Sequence, residues 1–118
     1  MHHLKKGRKL NRNSSHRRAM LQNLTCSIFK HDCVNTTSAK AKEVRRFVEK
    51  IVALAKKNTV HNRRLVYKKI KNRDLLKKIF DTIPSKCDKS IGGCTRIIKN
   101  GFRKGDGASM SLIQFVTK

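Results

Sequence analysis

Hydrophobic positions fall into four stretches at helical spacing and a few short stretches of extended character. In the first, Met20, Leu21, Leu24 and Ile28 recur about one turn apart, and Phe29 widens the stripe. A helix with this stripe is predicted to begin after Asn13, Ser14 or Ser15, residue types whose side chains accept from a free backbone N–H at a helix start. Cys33-Val34-Asn35-Thr36-Thr37 is short and β-prone, and predicts a strand or an extended connector. The strongest helical pattern spans Ser38 to Lys57. Val44, Phe47, Val48, Ile51, Leu54 and Ala55 share one stripe, while Arg45, Arg46, Glu49, Lys50 and Lys56 lie largely away from it. Thr59 is placed to cap a third helix carrying Leu65, Val66 and Ile70. Asn72 is placed to cap a fourth, with Leu75, Leu76, Ile79, Phe80 and Ile83 on its apolar face and Asp74 in the first turn, where it suits the helix dipole. Pro84, the only proline, is expected to stop that helix.

After Gly92-Gly93 the period changes. Cys94 to Phe102 reads as a strand with β-branched Thr95, Ile97 and Ile98. Lys104-Gly105-Asp106-Gly107 reads as a turn, since Gly and Asp tolerate positive φ. Ala108 to Val116 then reads as a returning strand. A hairpin after several helices predicts an α+β (mixed α/β) fold: an N-terminal helix, a short strand, a helical middle, and a C-terminal β-hairpin completing a small sheet.

At 118 residues the chain is expected to form one globular domain, residues 14–118, preceded by a basic arm, residues 1–13. Charge sharpens that division. Thirty Lys and Arg against seven Asp and Glu give a formal net charge of +23. Residues 1–31 carry eight Lys or Arg and no acid. The first 18 residues hold few sizeable apolar groups, so the arm is expected to stay mobile when alone and to order on a partner. The same lack of an apolar stretch does not fit a secretory signal, and no apolar run is long enough for a membrane-spanning helix. A compact body at +23 repels itself until a polyanion neutralises it.

The candidate chemistries other than polyanion binding fare poorly. Cys26 and Cys33, like Cys87 and Cys94, are separated by six residues, whereas structural zinc sites favour gaps of about two to four. Cys26 also falls beside a helix's apolar face, where a thiol behaves as a small hydrophobe. Free thiols and no metal are expected. Four of the five histidines fall within residues 1–31, the acids are scattered, and no nucleophile elbow or phosphate-binding loop is present. The reading is not an enzyme, with no catalytic residues, no cofactor and no small-molecule substrate. A membrane surface is disfavoured because the most basic segment is the least apolar. Aromatics, at 5% of residues, are too few for a stacking platform along single strands.

Nucleic acid remains. Arg grips phosphate bidentately, Lys supplies a point charge, and Asn and Ser add neutral hydrogen bonds. The arm mixes these types with Gly7, which suits a segment threading between folded RNA helices. Arg45-Arg46 and Arg63-Arg64 add basic surface to the globular part. The pairs Lys56-Lys57 and Lys77-Lys78 read as solvated faces. A general nucleic-acid-binding protein that compacts DNA is the alternative function, since phosphate neutralisation is common to both polymers.

The segment from Gly7 through Leu10, Asn13 and His16 to Met20, Gly-Arg-Lys-Leu-Asn-Arg-Asn-Ser-Ser-His-Arg-Arg-Ala-Met, closely resembles the N-terminus of the bacterial large-subunit ribosomal protein seventeen family. The resemblance continues through 36–46, Leu54-Ala55-Lys56, Asn62-Arg63-Arg64-Leu65, 92–97 and 101–106, and so covers nearly the whole chain. It implies a non-enzymatic, cytoplasmic ribosomal component, bacterial or organellar. Such a protein would bind large-subunit ribosomal RNA on the solvent side near the peptide exit region, beside neighbouring large-subunit ribosomal proteins. The arm residues implied as RNA contacts are Lys5, Lys6, Arg8, Lys9, Arg12, Asn13, Ser14, His16 and Arg17, and Arg18, Arg96 and Arg103 in the matching segments join them as candidates. The chain departs from the family pattern at Cys94, where an aromatic is usual, and at Gln114, where an acid is usual.

Overall fold

The computed structural model describes Leu10, residues 12–86 and residues 94–116. Seven elements follow in order: α1 (Ser14–His31), β1 (Cys33–Thr37), α2 (Ser38–Ala55), α3 (Val60–Ile70), α4 (Arg73–Lys86), β2 (Thr95–Phe102) and β3 (Ser109–Phe115). The fold is the mixed α+β arrangement that the pattern predicts.

Local chemistry sets the helix starts. The Asn13 side chain accepts from His16 N at 2.8 Å, Thr59 Oγ1 from Asn62 N at 3.1 Å, and Asn72 Oδ1 from Leu75 N at 3.0 Å. Each satisfies one of the N–H groups that a helix start leaves without an intrahelical partner. α2 ends at Ala55, two residues before the expected Lys57. There the Asn62 side-chain amide donates to the carbonyls of Leu54 and Lys57, both at 3.1 Å, and closes that end.

Pro84 does not stop α4, which runs to Lys86. Proline removes only its own N–H from the ladder, and in the last turn few bonds remain to be lost. Ile79, Phe80 and Ile83 are buried, so packing holds the turn leading into Pro84.

The three strands form an antiparallel sheet in the order β1-β3-β2. The last strand is therefore central. It pairs locally with β2 and across the chain with β1, so the short Cys33–Thr37 run becomes an edge strand. Val34, Ile113 and Ile97 lie in register across the three strands. Ile113 is fully buried, and Val34 and Ile97 pack against the core. α2 runs through the middle of that core with Val44, Val48, Ile51 and Val52 all buried. α1 reaches the sheet through Phe29, whose ring lies 5.4 Å from that of Phe115. Ser38 at the start of α2 hydrogen-bonds the hydroxyls of Ser109 and Ser111 on β3, at 2.9 and 2.7 Å.

Cys26, Cys33 and Cys94 are free thiols, and Cys87 lies outside the described residues. Cys26 packs against the core, its Sγ 3.9 Å from the Ile70 carbonyl, and burial pushes its pKa above the ordinary thiol value, with Lys30 opposing in part. Among the described residues no group of three or more His, Cys, Asp or Glu side chains converges as a metal site.

Candidate nucleic-acid interface

α1 opens on Ser14-Ser15-His16-Arg17-Arg18, with no acid in its first turn. Neither α2 nor α3 has one there, and only α4 does, in Asp74. A helix start carries a partial positive charge that an acid usually offsets. Three of the four starts here lack that offset, and α1 adds two guanidinium groups to its own.

The approach to α1 is held by side chains of the same segment. Arg12 Nη1 donates to the Leu10 carbonyl at 2.7 Å, Arg17 Nη1 to the Arg12 carbonyl at 3.4 Å, and Ser15 Oγ to Asn13 Oδ1 at 3.1 Å. Leu10 sits at φ 55, so the backbone turns there.

Across from this start lies the C-terminal end of α3. The Gln22 side chain donates to the Ile70 carbonyl at 3.3 Å, fixing the end of α3 against α1. Lys71 follows in left-handed conformation and donates its N–H to the Tyr67 carbonyl at 2.8 Å. The result is a cleft of about 420 Å³. Leu21, Phe47 and Ile51 contribute its apolar lining; Arg17, Arg18, Lys68, Lys69 and Lys71 contribute five cations, and among the described residues no acid lines it. Such a surface concentrates positive potential over a low-dielectric floor, an arrangement suited to phosphate.

The remaining candidates are distributed more widely. Arg45 and Arg46 are exposed on α2 and line no part of this cleft. Arg64 is exposed on α3, whereas Arg63 is half-buried, its guanidinium 5.2 Å from the centre of the Phe80 ring and its Nε donating to Asn58 at 2.7 Å. Arg96, on the outer face of β2, donates from Nε and Nη2 to the side-chain oxygen of Gln114 at 2.7 and 2.8 Å. Arg103, at the hairpin tip, grips Asp106 through Nε at 3.1 Å and Nη2 at 2.5 Å. Lys5, Lys6, Arg8 and Lys9 lie outside the described residues, as does the expectation that the arm is mobile when alone.

A family model described as Ribosomal protein L17 matches residues 20–116. The chain belongs to the ribosomal protein L17 family. The matched span takes in most of α1 and every later element. The family is a structural, non-enzymatic class of the large ribosomal subunit, so membership places the protein in the ribosome and implies association with ribosomal RNA and other ribosomal proteins. Among the described residues no helix is long and apolar enough to cross a membrane.

Residue-by-residue reading of the sequence passed over Lys68, Lys69 and Lys71. The available signal was the run Lys68-Lys69-Ile70-Lys71 at a helix end, where buried Ile70 leaves the three lysines facing outward. Lys78 also departs from expectation. It is not simply solvated, because its ammonium donates to the Lys30 carbonyl at 2.8 Å.

Proposed function

We propose that this protein binds large-subunit ribosomal RNA through a basic arm, residues 1–13, and the cationic cleft where that arm joins the globular domain, residues 14–118. Its role is to neutralise phosphate and hold RNA segments together within the subunit, in support of translation. The observation that carries this reading is the acid-free set Arg17, Arg18, Lys68, Lys69 and Lys71 gathered around Ser14, the first residue of α1. The arm enters the domain at that residue, and its own Lys5, Lys6, Arg8, Lys9 and Arg12 add five cations to the sequence just before it. Arg45, Arg46 and Arg64 add exposed charge elsewhere, and Arg96 and Arg103 present guanidinium groups already oriented by neutral or acidic partners. Neighbouring large-subunit proteins complete the set of partners, in a bacterial cytoplasm or an organelle.

The test is a salt titration of the full chain, a variant lacking residues 1–12, and a Lys50→Ala/Lys77→Ala control, on a large-subunit RNA fragment and on random duplex DNA. Deleting the arm is expected to flatten the dependence of log K on log salt by roughly three units, from about four lost phosphate contacts at about 0.7 to 0.9 each. The control removes two exposed charges and is expected to change affinity only slightly. Equal affinity for RNA and DNA, with losses merely in proportion to charge, would overturn the reading in favour of DNA compaction.

A further inference from the structure

A second groove, between α3 and α4, differs in chemistry from the cleft at α1. Val60, Tyr67 and Leu76 supply its apolar surface, and its volume is about 560 Å³. Val60 is 65% exposed and Tyr67 39%, so this apolar surface is open to solvent. Val60, Arg64 and Tyr67 are spaced four and three residues apart and share one face of α3. The side chains of Arg64, Lys68 and Arg73 line the groove as well, and none of the three has a hydrogen-bond or ion-pair partner among the described residues. Arg63 also lines it but is held by Phe80 and Asn58. Among the described residues no carboxylate lines the groove, and Asp74, next to Arg73, lines a different cleft with Lys30 and Lys78.

This combination selects its occupant. A paired RNA helix offers phosphate to the cations but nothing to cover Val60 and Tyr67. A peptide helix would present a row of apolar anchors over two turns, more than three apolar side chains can receive, and its backbone would not use three free cations. A single unpaired nucleotide meets both requirements, with a flat apolar base and a phosphate on either side. One tyrosine cannot make a platform that tracks a strand, but it can take one base. With Arg63 held by Phe80 and Asn58 and the other cations taken up by phosphate, no lining side chain among the described residues is left to read a base edge, so the groove distinguishes unpaired from paired nucleotides rather than one base from another.

We propose that the α3–α4 groove holds one flipped-out nucleotide of RNA, its base stacked on Tyr67 against Val60 and Leu76 and its flanking phosphates on Arg64, Lys68 and Arg73. The proposal rests on the RNA-binding reading above. Lys68 lines both this groove and the cleft at α1, so the strand leaving the flipped nucleotide can continue along one basic band.

The experiment uses the full chain with a stem RNA bearing a single-nucleotide bulge, the same stem fully paired, and a paired DNA of equal length. Tyr67→Ala is expected to weaken binding of the bulged RNA by about 5- to 150-fold, the range of one lost base–aromatic stack, while leaving the paired stem within about twofold. Tyr67→Phe keeps the ring and should keep the bulge preference. Tyr67 is the only tyrosine and the chain has no tryptophan. Energy transfer from protein to a 2-aminopurine in the bulge therefore reports on this one side chain, and Tyr67→Phe should abolish it. Equal binding of bulged and paired RNA, both above DNA, would overturn the groove proposal and leave the RNA-binding reading standing. Binding of both RNAs no better than DNA would overturn the reading itself. Displacement of the bulged RNA by an acidic amphipathic peptide at lower concentration would assign the groove to a protein partner instead.

Discussion

The Glu49 carboxylate on α2 holds both polar hydrogens of Thr95 at the start of β2: Oε1 accepts from the backbone N at 3.1 Å and from Oγ1 at 2.6 Å. Thr95 is only 2% exposed, so neither donor can turn to water if the carboxylate is removed. Leaving a buried donor without a partner costs about 1–3 kcal/mol. Glu49→Ala is therefore expected to lower stability by about 2 kcal/mol in urea unfolding, with Glu49→Gln retaining part of the loss because its amide oxygen still accepts. An unchanged unfolding midpoint in Glu49→Ala would show that the contact contributes nothing.

That contact marks where sequence reasoning stops. Thr59 and Asn72 are legible as caps, and Asn13 as one of three candidates with Ser14 and Ser15, because capping is decided within three residues, whatever the rest of the chain does. The apolar stripes were legible for the same reason: burial follows a period that needs no knowledge of the partner surface. Pairing between distant residues left no such trace. Glu49 and Thr95 are 46 positions apart, and Gln22 meets the Ile70 carbonyl across 48. The cleft was half legible: Arg17 and Arg18 stood out in the arm motif, but Lys68, Lys69 and Lys71 join them only because α3 packs its end on α1. Pro84 does not end α4 because the cost of a proline depends on its position, and in the last turn little of the ladder remains to be lost. At position 114, where the resemblance leads to the expectation of an acid, the Gln114 side-chain oxygen meets Arg96 as a neutral acceptor.

The hairpin tip makes a prediction about pH. The Arg103 guanidinium, helped by the Ala108 N–H at 3.2 Å, holds the Asp106 carboxyl at about 2, below its ordinary value of 3.8. Because the folded value is the lower one, folding favours the ionised form. That contribution is fully present above the ordinary value and is lost as pH falls through the folded value. Both side chains are solvent-exposed, so the effect on global stability is small. It is best read locally: an NMR titration of the Asp106 side-chain carboxyl should give a midpoint near 2 in the full chain and a higher one in an Arg103→Ala variant, still short of 3.8 because the Ala108 N–H continues to donate. A midpoint unaffected by Arg103→Ala would separate the two residues in solution.

Lys77 and Lys78 sit side by side on α4, both exposed, and the structure gives them different work. Lys78 Nζ donates to the Lys30 carbonyl at 2.8 Å, in the last turn of α1, where the final carbonyls have no intrahelical partner. A cation there also meets the negative end of the helix dipole, worth about 0.3–1 kcal/mol at an exposed site. Removing either lysine lowers the net charge of +23 by one, and by relieving self-repulsion that change alone should stabilise the fold slightly. The self-repulsion relieved is nearly the same in Lys77→Ala and Lys78→Ala, so the difference between the two variants isolates the helix-end contact. Lys77→Ala is expected to unfold at or slightly above the temperature of the parent. Lys78→Ala should unfold a few degrees lower, as a change of about 0.5–1 kcal/mol does in a domain of this size. The gap should narrow in high salt, where the ammonium's attraction to the dipole is screened. Two variants that melt together at low salt would show that Lys78, too, is only solvated.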